Sequence, residues 1–68
     1  MKFEQFGINV GRARQKLNLS AYELSLRLGK DPSYIHKLEN GKINASLKMI
    51  IAISEILNIP IKNLFNEK

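Results

Sequence analysis

Apolar residues recur at three- and four-residue spacing in a series of short runs, and glycine and proline punctuate the chain between them. That pattern commits the chain to short amphipathic helices. Phe6, Val10, Ala13 and Leu17 form the first stripe, with Phe3 one turn earlier. Ser20 then reads as an N-cap with Glu23 three residues on, a capping box. The helix it opens buries Ala21, Leu24 and Leu28 and stops at Gly29. For the third helix Asp31 can cap, Pro32 suits the first turn and Gly41 can end it. A fourth helix starts near Ala45 or Ser46 and carries Leu47, Ile50, Ile53 and Leu57. Asn58 to Pro60 break it, and a short last helix carries Ile61, Leu64 and Phe65. The isoleucine-rich "MIIAISEIL" fits a helical stripe over a longer span than a strand usually has. The fold class read from this pattern is all-α, a compact bundle of about five short helices, with residues 1–68 as a single domain.

A chain of 68 residues has a small core, so tight helical packing or a partner subunit has to contribute to stability. There is no cysteine and one histidine, His36. Disulfides and a thiolate zinc site are thereby excluded, and His36 alone builds no metal site. No apolar run is long enough to span a bilayer, and Met1 leads straight into "KFEQFG" with no secretory pattern. A cytoplasmic location is expected. Glu23, Asp31, Glu39 and Glu55 are scattered, and no nucleophile-base pair or phosphate-binding glycine loop appears. Neither catalysis, a cofactor nor a small-molecule substrate is expected. The net charge of +5 and pI near 9.8 favour a polyanion partner over a merely basic soluble protein only if the charge is patterned.

The pattern is clearest between the second and third helices. Gly29 leaves them a connection of only a few residues, and two helices joined so tightly form a helix-turn-helix. On the third helix Ile35 and Leu38 point to the core. Ser33, Lys37 and Asn40 fall at i, i+4 and i+7 on the opposite face, flanked by Tyr34 and His36. The exposed stripe is neutral to positive and carries no acid. A DNA major groove needs such a surface, because phosphates repel carboxylates and base edges require donors and acceptors. An ordinary solvated helix face looks the same.

The stretch "LSAYELSLRLGKDPSYIHKLENGKINASL" resembles the helix-turn-helix domains of the lambda repressor and Cro class, the XRE family. The resemblance runs from about Phe6 to Phe65. It rests on Arg14, "LS" at 19 and 20, "EL" at 23 and 24, "LG" at 28 and 29, "SYI" at 33 to 35, "LENGK" at 38 to 42 and "SL" at 46 and 47. "ILNIPIKNLF" is similar to the family's last helix pair. The resemblance implies duplex DNA as the partner, with the third helix in the major groove and the second crossing the backbone. Ser33 and Lys37 are then the base readers, with Tyr34 at the groove edge. Lys30, Asn40, Lys42, Asn44, Ser46 and Lys48 fit phosphate contacts, the last three helped by the start of the fourth helix. Arg14 and Glu39 match a structural ion pair between the first and third helices.

Three positions depart from the family's pattern. Ala21 stands where a phosphate-clamping glutamine is frequent, Pro32 where a polar reader is frequent, and Ala45 where proline is frequent. Ile56, Ile61 and Phe65 exceed what a small core needs, so a two-fold homodimer through the last helix is expected. The implied function is a small repressor-like transcriptional regulator. Phage repressors, restriction-modification controllers and antitoxins share the domain. A rival reading is a protein-interaction module, since Tyr22 and Leu26 lie one turn apart on the outward face of the second helix. A membrane-surface role is weaker, because no helix combines a basic face with a broad apolar one.

Overall fold

Each stripe forms a helix in the computed structural model, which describes residues 3–66. The helices are α1 (Phe3–Lys16), α2 (Ala21–Arg27), α3 (Tyr34–Glu39), α4 (Leu47–Leu57) and α5 (Ile61–Leu64). The side chain of Phe3, placed on the first stripe above, lies outside the described residues.

The chain changes direction by one repeated device. Asn18, Gly29, Gly41 and Asn58 all lie in the left-handed region, with φ between 54° and 73°. After each, the next residue's amide donates to a carbonyl five residues back: Leu19 to Arg14, Lys30 to Ser25, Lys42 to Lys37 and Ile59 to Ser54. This bond satisfies carbonyls that the helix end leaves open. Glycine enters that region without a Cβ penalty, and asparagine tolerates it better than other residues.

The helix starts are less uniform. Ser20 and Ser46 cap α2 and α4 by accepting the amides of Glu23 and Met49. The Glu23 carboxylate turns along its own helix to Arg27, at 3.0 Å.

The core joins Phe6 and Val10 of α1, Leu19, Leu24 of α2, Ile35 and Leu38 of α3, Ile50, Ile53 and Leu57 of α4, and Leu64 of α5. α3 packs on α1 and α2, and α5 packs on α1 and α4. Fully burying one such leucine or isoleucine stabilises by about 2 kcal/mol. α1 comes so close to the end of α3 that a Cβ at Gly7 would sit 2.8 Å from the carbonyl oxygens of Leu38 and Glu39.

Two apolar positions fall outside their stripes. Leu17 is 51% exposed, because Asn18 ends α1 at Lys16 and Leu19 turns into the core instead. Leu47 is 69% exposed, since α4 first meets the core at Ile50. The expected dimer residues also divide. Phe65 is drawn inward, its ring stacked on Phe6 at 5.0 Å, and Ile56 packs half-buried against the core. Of the three, Ile61 alone is exposed.

Candidate nucleic-acid interface

Ile35 and Leu38 are buried and fix the inner side of α3, which sends His36 and Lys37 to solvent. The outward stripe of Ser33, Lys37 and Asn40 is exposed as its spacing requires. Its detailed chemistry differs from expectation at both ends.

At the head, α3 begins at Tyr34 and not in the Asp31–Pro32 turn. Asp31 Oδ1 accepts both the Ser33 amide, at 2.9 Å, and the Ser33 hydroxyl, at 2.7 Å. This local side-chain turn competes with helix and holds residues 31–33 outside it. The Ser33 hydroxyl hydrogen is therefore already committed, and Ser33 meets a base only as an acceptor or by releasing Asp31. Those two Ser33 bonds, the side-chain one first, hold the Asp31 carboxyl below its ordinary range; Lys37 and Lys30 add to this, against a smaller desolvation effect. The ionised Asp31 therefore stands just ahead of the stripe, its charge partly taken up by the Ser33 amide, and the stripe itself carries no acid.

At the tail, Asn40 folds back on its own helix. Its amide nitrogen donates to the His36 carbonyl at 2.8 Å and lies 3.3 Å from His36 Nε2. In this geometry Asn40 caps α3 and its donors do not face a phosphate. Lys37 is left as the cation at the centre of the stripe.

Tyr34 is half-buried against the core, and that burial raises its phenol pKa. The Lys30 ammonium lies 5.3 Å from the centre of its ring. Such a cation-ring contact holds a flexible side chain in place at the cost of some freedom. On an exposed lysine the contact is worth roughly 0.5–1 kcal/mol, enough to favour Lys30 beside α3.

Between α3 and α4 the chain exposes Lys42, Asn44, Ser46 and Lys48, while Ile43 and Ala45 pack inward. The Ser46 oxygen caps Met49, which leaves its hydroxyl hydrogen for an external acceptor. α4 runs 11 residues, long enough for its N-terminus to favour an anion.

Two supports lie behind this surface. Arg14 grips Glu39 through two parallel bonds, Nε to Oε2 at 2.7 Å and Nη2 to Oε1 at 3.1 Å, and donates a third to the Leu19 carbonyl at 2.9 Å. Bonding to Glu39 raises the Arg14 pKa, against a smaller desolvation effect. The pair ties α1 to the last residue of α3, as the family resemblance implied. The second support, Ser25, is absent from the sequence reading. It is fully buried on α2, and its hydroxyl accepts the Ile35 amide at 2.9 Å. A serine beside Leu24 on a buried face was the available signal.

Tyr22 and Leu26 are 60% and 49% exposed, as expected for the outward face of α2. No group of three or more potential metal ligands occurs among the described residues. None of their helices is long and apolar enough to cross a membrane.

A family model described as helix-turn-helix matches residues 10–64. A protein of Archaeoglobus fulgidus, described as an uncharacterized HTH-type transcriptional regulator, is 38% identical over 52 residues, spanning 76% of this chain and 73% of that relative. The crystal structure of the restriction-modification controller protein C.AhdI from Aeromonas hydrophila matches with a TM-score of 0.84 and 32% identity, over 93% of this chain and 96% of that one.

Proposed function

This chain belongs to the helix-turn-helix family of the XRE type, and on that footing we propose that it is a transcriptional regulator that reads duplex DNA with α3 in the major groove. The observation that carries the proposal is the outward stripe of α3, presented by the buried Ile35 and Leu38 and backed by the Arg14–Glu39 pair. Lys37 is the principal base reader, with Ser33 as an acceptor and Tyr34 at the groove edge. Lys30, Lys42, Asn44, Ser46 and Lys48 hold the phosphates, and Asn40 joins them only on releasing its own helix. The chain acts in the cytoplasm without cofactor or catalysis. A second copy completes a palindromic site, with Ile61 the outward apolar residue of α5 and Ile56 and Phe65 supporting it from within. The relative's and the controller protein's descriptions support a regulatory role.

Selection of bound sequences from random duplex DNA tests this directly, and enrichment of palindromes reads the dimer. On the selected site Lys37→Ala is expected to cost about 1–3 kcal/mol and to relax preference at one base position. Tyr22→Ala with Leu26→Ala is expected to leave DNA affinity unchanged. Silence of Lys37→Ala on every duplex, with loss of a protein partner in the Tyr22/Leu26 double variant, would favour the interaction module instead.

The phosphate assignments give a separate expectation. Lys42→Ala and Lys48→Ala each weaken binding to all duplexes alike and lower the salt slope by about one unit. A changed sequence preference at an unchanged slope would move these lysines from phosphates to bases.

A further inference from the structure

We propose that Ser25 is a positioning residue for base reading: its buried hydroxyl fixes where α3 starts and hence where Lys37 is presented. The role rests on the DNA reading above. The first amides of a helix have no partner within it. The Asp31 side chain is taken up by Ser33, and Ser33 makes no side-chain capping bond to α3. The Ile35 amide is satisfied from another helix, by Ser25 Oγ at 2.9 Å. The same hydroxyl donates to the Ala21 carbonyl at 2.8 Å, which orients its lone pairs toward α3.

The backbone of Ser25 completes the arrangement. Its carbonyl accepts the Lys30 amide at 3.0 Å and closes the end of α2. One residue thus holds both sides of the turn, the end of α2 through its carbonyl and the start of α3 through its hydroxyl. Ser25 touches no nucleic acid in this arrangement. Its effect reaches the groove through Ile35, two residues before Lys37. Hydrogen bonds to base edges weaken steeply with distance and angle, whereas a phosphate contact from a flexible lysine tolerates a small shift of the helix. Losing the pin should therefore cost discrimination before it costs general affinity.

The test compares Ser25→Ala with Ile53→Val, a core change of small volume on α4, both at a temperature where circular dichroism shows each folded. Ser25→Ala is expected to bind the selected duplex about tenfold more weakly, the scale of one buried hydrogen bond. It should bind random duplex with wild-type affinity and salt slope. In the free protein its Ile35 amide should exchange with solvent faster than in wild type, while amides of α4 do not change. Ile53→Val should discriminate like wild type. If wild type discriminates and folded Ser25→Ala discriminates equally well, the positioning role is wrong and the DNA reading stands. If wild type prefers no duplex, the DNA reading fails and this role with it. If Ser25→Ala loses selected and random affinity in equal measure, Ser25 is structural only and the assignment is overturned.

Discussion

Gly7→Ala is expected to destabilise the domain by about 2 kcal/mol. The added Cβ would meet the carbonyl oxygens of Leu38 and Glu39 at 2.8 Å and the Glu39 Cα at 3.0 Å. These are backbone atoms at the end of α3 and cannot rotate aside. α1 and α3 must separate, which loosens Phe6 and Val10 against Leu38. Overpacking of this kind costs roughly 1–3 kcal/mol and sometimes more; against it, alanine in a helix interior returns about 1 kcal/mol over glycine. With backbone as the obstacle, the upper part of the overpacking range applies and steric cost wins. Gly11→Ala provides the contrast. There the Cβ would meet a side-chain oxygen, Glu39 Oε1, at 3.2 Å. A carboxylate can give by a few tenths of an ångström, so the two effects nearly cancel. Thermal melts of both variants check the ordering. A Gly7→Ala protein that melts with wild type would mean that the helices do not approach this closely.

Arg14→Met is expected to cost a further class of energy, about 2–3 kcal/mol. Removing one member of a fully buried ion pair costs about 3–5 kcal/mol; here the Arg14 and Glu39 side chains are 14% and 17% exposed, so water relieves part of that. The loss comes from the stranded Glu39 carboxylate more than from the attraction given up. Adding Glu39→Met should therefore recover most of the stability. Recovery stays incomplete, because the Leu19 carbonyl also loses its Arg14 donor, worth about 1 kcal/mol. Denaturant melts of wild type, both single variants and the double give the coupling energy. A double variant no more stable than Arg14→Met would show that no stranded charge was involved.

The legible parts of this chain are those where one local rule acts alone. Spacing of apolar residues placed all five helices, and glycines 29 and 41 together with the Asn58–Pro60 break marked three of the stops. Asn18 was not legible as a stop, since asparagine enters the left-handed region only when the neighbouring bonds hold it there. Leu17 was misplaced on the core stripe for that reason. The interface was legible as a face and not as a set of donors. Spacing exposes Ser33 and Asn40, but short-range bonds to Asp31 and His36 engage their hydrogens. Such bonds depend on rotamers, which periodicity does not encode. Ser25 was missed because its partner, Ile35, is ten residues away on another helix. Phe65 shows the opposite error: an aromatic ring at the chain's end reads as surplus until Phe6 is seen beneath it.

The brevity of α3 carries a consequence for how binding is switched off. Six residues are far below the roughly 12–15 at which an isolated helix becomes even marginal in water. Nucleation alone would leave a peptide of this length as coil. Its order is borrowed entirely from α1 and α2, so the reading face has no existence apart from the cooperative fold. Occupancy of a DNA site should track the global unfolding transition on heating. A form in which α1 or α2 has melted should lose the site, and a chain emerging during synthesis should not bind until those helices have packed.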